Sequence, residues 1–335
     1  MKSYKRWIVL LGTVCLAAAL FLGGYLWKQR RESRKWTLVY IPKVVDGTND
    51  FWTSLISGAT MAAKEYNVSL EVVAPEREQD VERQNEILAE VIRQKPDALL
   101  ISPSSFTAST KLLEQAKEEG IPITFIDSYT EENVQNLTVA TDNLAVGKKL
   151  GEYAGELLSD EARIAVVGHV QGVSTAVERE QGFREGLGEK EKSIVDVVFC
   201  DSIFEKAYEL TMELMEKYPD LEMIAGMNEY SSVGAARAVK EANAQDRIRV
   251  VGVDSSQEAV ELMEQGIFQG FVVQKAFKMG YMGVRETVRM LRGEEVEKNI
   301  DSGSELVTPE NMYTSENEKL LFPFNNIRQS GEGES

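Results

Sequence analysis

The chain of 335 residues is long enough to bury a large hydrophobic core, and its length predicts about two domains. Its 43% hydrophobic and 27% charged residues are typical of a folded globular protein, which excludes an intrinsically disordered chain. Eight of the 37 basic residues but only one of the 54 acidic residues lie in 1–35, so 36–335 carries 29 basic and 53 acidic residues. Because so acidic a body repels phosphate backbones, we exclude nucleic acid as a partner.

The first element in chain order is an uncharged run of 21 residues from Trp7 to Trp27. A helix of about 20 apolar residues crosses the hydrocarbon core of a bilayer, whereas the apolar part of a cleaved signal peptide has about 7–15 residues. We therefore predict that 7–27 anchors the protein in the cytoplasmic membrane and that 28–35 is a basic spacer. A cleaved signal, or a lipid anchor on Cys15, is the alternative.

After the spacer, short apolar runs alternate with amphipathic segments. Two of these segments, 80–94 and 145–158, place apolar residues at helical spacing. Continuous apolar strands that alternate with helices predict parallel sheets covered on both faces. Because ten strands exceed one comfortable doubly wound sheet, we predict an α/β fold of two lobes. The predicted strands are Leu38–Ile41, Leu70–Val73, Ala98–Ile101, Ile123–Ile126, Leu137–Ala140, Ile164–Val167, Val195–Phe199, Met223–Ala225, Ile248–Val253 and Phe271–Val273.

Hydrogen-bonding and aromatic side chains follow these strands. In open parallel sheets, ligands bind beyond the carboxyl ends of the strands, so two facing lobes would share one cleft. Carboxylates, amides and guanidinium groups bind paired hydroxyls, and aromatic rings cover the C–H face of a sugar. The set therefore predicts a small polyhydroxylated ligand. Its members are Asn49, Phe51, Trp52, Asp127, Arg179, Phe204, Asn228, Asp254 and Gln274.

The sequence contains no motif for catalysis, a cofactor or a metal. His169 is the only histidine, and no serine lies in a G-x-S-x-G turn. Cys15 and Cys200 provide no metal spacing, and Gly168 and Gly172 are not followed by the lysine of a phosphate loop. We expect a binding protein that is not an enzyme and has neither cofactor nor metal, with His169 in a loop of the second lobe away from the ligand.

The same region resembles a known family. From about 36 to 322 the chain is similar to the periplasmic (type I) pentose- and hexose-binding proteins of the ribose-binding type, the substrate-binding proteins of ABC transporters. The segments that carry the resemblance, in the family's order and spacing, are TNDFWTSLISGATMAAKEY at 48–66, FID at 125–127, TDN at 141–143, TAVEREQGF at 175–183, NEY at 228–230, VVGVD at 250–254 and FVVQ at 271–274.

The resemblance implies two doubly wound parallel-sheet lobes joined by a three-strand hinge. The first lobe would comprise 36–141 plus 275–302, the second 142–274 plus 303–322, and 323–335 would be a polar tail. It also implies a role for each site residue. Asn49 would hydrogen-bond the ligand between Phe51 and Trp52, and Asp127 would accept from two hydroxyls. From the second lobe, the Arg179 guanidinium would donate paired hydrogen bonds to the ligand, and the Phe204 ring would stack on it. Asn228 and Asp254 would bind ligand hydroxyls, and Gln274 would complete the set of ligand contacts.

Two positions depart from the family pattern. Many relatives have proline where this chain has Asp50, and ribose-type members have arginine where it has Ser128. The absence of that arginine guanidinium, which would donate paired hydrogen bonds, argues against ribose itself as the ligand.

The residues taken alone also leave structural roles open. The three aromatic side chains would then belong to the core, and the two aspartates would cap helices. Arg179 and Asn228 would lie on the surface at helix starts.

The resemblance predicts a solute-binding protein on the extracytoplasmic face of the cytoplasmic membrane, in the cell envelope. It would capture a sugar by hinge closure and present it to the permease of an ABC importer. The alternative is a membrane-anchored sensory co-receptor that reports the ligand to a histidine kinase, which a permanent anchor suits. A third possibility, the effector domain of a sugar-responsive repressor, requires a basic helix-turn-helix where this chain has its uncharged run.

Overall fold

The computed structural model describes residues 21–22, 35–159 and 161–322. The predicted anchor 7–27, the spacer 28–35 and the tail 323–335 lie outside these residues, apart from Phe21, Leu22 and Lys35. None of the helices in the described part of the chain has the length and apolarity needed to cross a membrane.

All ten predicted strands are present, with ends within three residues of the prediction. Two further strands, β11 and β12, have only three and four residues and no continuous apolar run, which is why the sequence pattern does not predict them. The strands are β1 (Thr37–Ile41), β2 (Ser69–Val72), β3 (Ala98–Ile101), β4 (Ile123–Ile126), β5 (Leu137–Ala140), β6 (Ile164–Gly168), β7 (Ile194–Phe199), β8 (Met223–Gly226), β9 (Arg249–Val253), β10 (Phe268–Gln274), β11 (Asn299–Asp301) and β12 (Ser304–Val307).

The strands form two six-stranded sheets with equivalent strand orders. The first sheet has the order β11-β5-β4-β3-β1-β2 and the second β12-β10-β9-β8-β6-β7. Neighbouring strands pair in parallel, as predicted, except that the edge strand β12 is antiparallel to β10. Each internal strand is buried on both faces, as in β3, β4, β6 and β8. Matching orders place β4 and β9 at equivalent positions in the two sheets.

Helices cover both faces of each sheet. We call the first sheet with α1, α2, α3 and α9 the first lobe, and the second sheet with α4 to α8 the second lobe. A 3₁₀ helix (Gly188–Ser193) precedes β7. The helices are α1 (Asp50–Glu65), α2 (Val81–Gln94), α3 (Thr110–Glu118), α4 (Asn143–Leu157), α5 (Ser174–Leu187), α6 (Phe204–Lys217), α7 (Glu229–Glu241), α8 (Gln257–Glu264), α9 (Ala276–Leu291) and α10 (Ser315–Leu321).

Glycines allow two helix pairs to pack with their backbones in contact. In α4 and α5, a Cβ atom on Gly151 would lie 2.2 Å from the carbonyl oxygen of Phe183, and one on Gly182 would lie 2.1 Å from that of Leu144. The pair α1 and α9 meets in the same way at Gly280, where a Cβ atom would lie 1.9 Å from the carbonyl oxygen of Leu55. No larger residue fits at these crossings without moving a helix.

The chain passes between the lobes three times, in adjacent segments. The passages lie between β5 and α4, between β10 and α9, and between β11 and β12. Hydrogen bonds tie them together: Thr141 Oγ1 and Ser302 Oγ are 2.9 Å apart, and the Lys275 amide donates to the Gly303 carbonyl over 3.2 Å. Adjacent connections of this kind are typical of a hinge between two lobes.

Candidate ligand-binding site

The two lobes contribute one aspartate each at equivalent positions. Asp127 follows β4 and Asp254 follows β9. Both have left-handed backbones, with φ of 68° and 70°, and each donates its amide to the neighbouring strand, to the carbonyls of Val139 and Val272. Asp tolerates this region better than most residues, and such strained positions cluster at functional sites. Neither aspartate is the N-cap of a helix, so the alternative of helix caps does not apply to them.

Eight of the nine predicted site residues line one cavity between the lobes. Its empty volume is at most about 280 Å³, a figure that includes space open to solvent. The predicted residues that line the cavity are Asn49, Phe51, Trp52, Asp127, Arg179, Asn228, Asp254 and Gln274. The lining also contains six residues that were not predicted as ligand contacts: Lys43, Glu78, His169, Thr175, Glu229 and Tyr230.

Asp127 forms a buried ion pair that the sequence analysis did not predict. Lys43 Nζ donates to Asp127 Oδ2 over 2.7 Å, and both side chains are at most 4% exposed. Lys43 also lies 5.8 Å from the centre of the Trp52 ring. Its position just after β1 is the signal that would have included it, because the other site residues were chosen for following a strand.

In the second lobe, Arg179 is held in place by neutral oxygen atoms. Its Nε donates to Asn143 Oδ1 and its Nη1 to the Met227 carbonyl, each over 2.8 Å. Asp254 Oδ2 lies 3.9 Å from Nη1, and Gln274 Nε2 donates to Asp254 Oδ1 over 2.8 Å. Burial raises the pKa of the Asp254 carboxyl, against the opposing effect of Arg179. The guanidinium is thus oriented before any ligand binds.

The two asparagines combine a structural role with their place in the cavity. The Trp52 amide donates to Asn49 Oδ1, and the Ser231 amide donates to Asn228 Oδ1, each over 3.0 Å, so both residues are N-caps. Asn228 is 7% exposed and Arg179 is 2% exposed, which excludes the alternative that they are surface residues.

The aromatic residues divide between the cavity and the core behind it. Trp52 is 2% exposed, packs edge-on against Phe51, and lines the cavity. Phe204 does not line it: its ring packs on Tyr230 at 4.7 Å, and the Arg237 guanidinium lies 4.9 Å from it. Phe204 is thus the one predicted site residue outside the lining of this cavity, and it packs on Tyr230, which is part of that lining.

Two buried glutamates that were not predicted join the lobes across the cavity. Glu229, at the start of α7, accepts from the amides of Asp50 and Phe51 at the start of α1, each over 3.1 Å. Glu78, in the first lobe, accepts from Trp52 Nε1 and from Ser202 Oγ of the second lobe. Burial raises the pKa of both carboxyls, that of Glu229 well above its ordinary value. The contacts of Glu229 with α1 and of Glu78 with Ser202 exist only while the lobes are together, whereas the contact of Glu78 with Trp52 lies within the first lobe.

His169 also lines the cavity, rather than lying away from it as the sequence analysis expected. Its Nε2 is 2.8 Å from Thr175 Oγ1, and its Nδ1 has no partner among the described residues. Burial, together with the nearby charges of Arg179 and Lys43, lowers the pKa of the ring well below 6.5. His169 is therefore neutral at physiological pH.

We expect the NMR signal of this single histidine to remain at its neutral position when the pH is lowered from 7.5 to about 5.5. Because the pKa of the folded state lies below the unfolded value of 6.5, the unfolded chain binds the proton first, and the folded protein loses stability as the pH falls below 6.5. His169→Gln should remove this part of the pH dependence of the melting temperature. A signal that titrates near 6.5 would contradict the assignment.

A wider groove adjoins the cavity and shares Phe51, Asp254 and Gln274 with it. It is bounded by α9 and by the end of α10, and much of its space is open to solvent. Lys43, Asp127 and Arg179 do not line it. The inner cavity is the one lined by both buried ion pairs, Lys43–Asp127 and Arg179–Asp254.

Comparison with known proteins relates this arrangement to one family. A model described as a periplasmic binding protein domain matches residues 39–295. The ribose import binding protein of Haemophilus influenzae is 27% identical over 252 residues, covering 75% of this chain and 85% of that protein. The ribose import binding protein of Bacillus subtilis is 25% identical over 260 residues, covering 78% and 84%.

Solved structures show the same similarity. A sugar transporter from Clostridium phytofermentans has a TM-score of 0.78 at 40% identity, covering 82% of this chain and 99% of its own. A carbohydrate transporter solute binding protein from Agrobacterium radiobacter, in complex with D-arabinose, has a TM-score of 0.81 at 26% identity, covering 86% and 99%. These matches confirm the predicted resemblance and the two-lobed α/β fold. Because the family consists of solute-binding proteins, they also confirm that the chain is not an enzyme.

Proposed function

The chain belongs to the periplasmic binding protein domain family, and we propose that it captures one small sugar-like ligand between its lobes and presents it to an ABC importer. The observation that carries this proposal is the convergence of two ion pairs from opposite lobes, Lys43–Asp127 and Arg179–Asp254, on one cavity. Carboxylate and guanidinium groups bind adjacent hydroxyls in pairs, and Trp52 offers an apolar surface to the C–H groups of a sugar ring.

The relatives support a ligand of monosaccharide size. Their names include ribose import, and their structures contain D-arabinose and, in a protein from Agrobacterium vitis, D-fucose. We infer that Asp127 and Asp254 accept from ligand hydroxyls and that Arg179, Asn49 and Asn228 contribute the remaining polar contacts. Lys43 supplies a positive charge on the side where ribose-type relatives have the arginine that this chain replaces with Ser128.

The proposed mechanism is closure about the three connecting segments, with 36–141 plus 275–302 moving against 142–274 plus 303–322. Ligand contacts from both lobes exist together only in the closed form, so the ligand shifts the equilibrium by its higher affinity for that form. Hydrogen bonds between the lobes also stabilise this closed form. They join Glu229 to the start of α1, Glu78 to Ser202, and Tyr230 to Asp46.

We propose an extracytoplasmic location, with the uncharged run 7–27 as the anchor. An importer and a sensor kinase would read the same closed form, and the anchor is the feature that favours the sensor as a second candidate. Crosslinking of the full-length chain in membranes distinguishes the two candidates. Recovery of an importer permease would support the importer function, and recovery of a histidine kinase would support the sensor function.

A thermal-shift screen over pentoses, hexoses, inositols and short glycosides tests the ligand class, because selective binding to the folded state raises its stability. In a variant with Trp7, Trp27 and Trp36 changed to phenylalanine, Trp52 is the one remaining tryptophan. We expect its fluorescence to shift with the same ligand concentration dependence as the melting temperature. A ligand that raises the melting temperature but leaves the Trp52 emission unchanged would exclude binding in this cavity.

A further inference from the structure

The cavity contains more negative than positive side chains. Four carboxylates and two cationic groups line it, and each of these residues is at most 6% exposed. Asp127 and Asp254 are matched by the two cations. The other two carboxylates have no cation within salt-bridge distance among the described residues. The six residues are Lys43, Glu78, Asp127, Arg179, Glu229 and Asp254.

The contacts of Glu229 are those of an ionised carboxylate. Both of its oxygens accept from backbone amides, which favours the ionised form against the burial that raises its pKa. These amides form the N-terminus of α1, where a helix favours negative charge. One oxygen of Glu78 likewise accepts from Trp52 Nε1, a group that only donates.

Burying such charges without a counterion is costly. Burial raises the pKa of both Glu78 and Glu229, against the nearby charge of Lys43 at Glu78 and against the amides of Asp50 and Phe51 at Glu229. A positive charge brought into the cavity would interact favourably with both glutamates, and a negative charge would increase the surplus. The charge of the ligand is therefore a strong determinant of its affinity.

Two uncommitted acceptors in the same cavity point to a ligand rich in donors. Gln274 Oε1 and His169 Nδ1 have no hydrogen-bond partner among the described residues, and their side chains are 4% and 2% exposed. We assign the proton of the neutral ring to Nε2, which then donates to Thr175 Oγ1 and leaves Nδ1 as an acceptor. An ammonium group, with three donors and no acceptor, satisfies such groups better than a carboxylate.

We propose that the cavity selects polyhydroxylated ligands by charge, an inference that rests on the proposed sugar-binding function. A sugar with an ammonium group binds more tightly than its neutral parent, and a sugar with a carboxylate is rejected. The selecting groups are Glu78 and Glu229, with Gln274 and His169 as acceptors for the added donors.

The test is titration calorimetry of the full-length protein at about pH 6, where an amine is protonated and a carboxylic acid is ionised. The probes are glucose, galactose and mannose, their 2-amino and 6-amino derivatives, and their uronates. In the series that binds, we expect the better amino derivative to bind at least about tenfold more tightly than the neutral sugar, about 1.4 kcal/mol, and the uronate not to bind detectably. A uronate equal to its parent, or no amino derivative that exceeds its parent, would overturn the charge rule while leaving sugar binding intact. No binding by any probe would count against both proposals.

Charge-neutralising variants assign the effect to named residues. Glu78→Gln and Glu229→Gln each keep the side-chain shape and an acceptor oxygen, and each should reduce the ratio of amino to neutral affinity by about threefold to tenfold. Glu82→Gln, an exposed position on α2 outside the cavity, is the matched control and should leave the ratio unchanged. The two variants are independent, so misfolding of one leaves the other as the test. An unchanged ratio in a folded variant of either glutamate would contradict its assigned role.

Discussion

Replacing Asp254 with asparagine is expected to weaken ligand binding at least about a hundredfold while the protein remains folded. Charge-assisted hydrogen bonds are worth about 1.5–3 kcal/mol each, and we propose that Asp254 accepts from ligand hydroxyls. Stability should change by less than about 1 kcal/mol, because an amide avoids the cost of burying a charge that the raised pKa of Asp254 reflects. Asparagine also tolerates the left-handed backbone, whereas alanine at φ 70° would add strain.

The measurement pairs calorimetric titration with urea unfolding of the same variant. Asp246→Asn, at an exposed turn before β9, is the control for the change from carboxylate to amide. It should change neither the ligand affinity nor the free energy of unfolding. Affinity within about threefold of the wild type in a folded Asp254→Asn protein would remove Asp254 from the site. Since Asp127 occupies the equivalent position in the first lobe, Asp127→Asn should weaken binding in the same way. Each variant leaves a buried cation without its carboxylate, but Arg179 keeps its hydrogen bonds to Asn143 and Met227, whereas Lys43 loses its 2.7 Å partner.

Two glycines four residues apart on α4 are expected to respond to alanine with opposite signs. A Cβ atom on Gly151 would lie 2.2 Å from the Phe183 carbonyl oxygen, so Gly151→Ala must push α5 away and should cost about 2–3 kcal/mol of the free energy of unfolding. A Cβ atom on Gly155 would meet nothing within 4 Å. Gly155→Ala should therefore stabilise the protein by about 0.5–1 kcal/mol, because alanine loses less conformational entropy in a helix.

Urea unfolding of both variants measures the difference in their free energies of unfolding, provided that the dependence of this free energy on urea concentration is the same in both. Because the two sites share one helix, the Gly155 variant controls for helix propensity and leaves the packing contribution. If Gly151→Ala is as stable as Gly155→Ala, the helices do not cross as closely as described. Gly147→Ala should also weaken ligand binding, since its Cβ would lie 2.1 Å from the carbonyl oxygen of Arg179 itself.

The sequence alone determined the architecture, because strand and helix periodicity is a local property of the chain. Apolar runs such as Ile123–Ile126 and Ile164–Val167 predict buried parallel strands, and the polar residues after them predict a site at the sheet edges. Asp127 and Asp254 were found in this way. The short strands β11 and β12 were not, since neither contains a continuous apolar run.

The tertiary structure decided which side chains reach the cavity and what balances their charge. Phe204 packs on Tyr230 outside the lining of the cavity, and Lys43 meets Asp127 across 84 positions of sequence. Glu229 contacts the start of α1 from the opposite lobe, 178 and 179 positions away. No local pattern encodes these pairings, because each depends on the packing of elements that lie far apart in the chain.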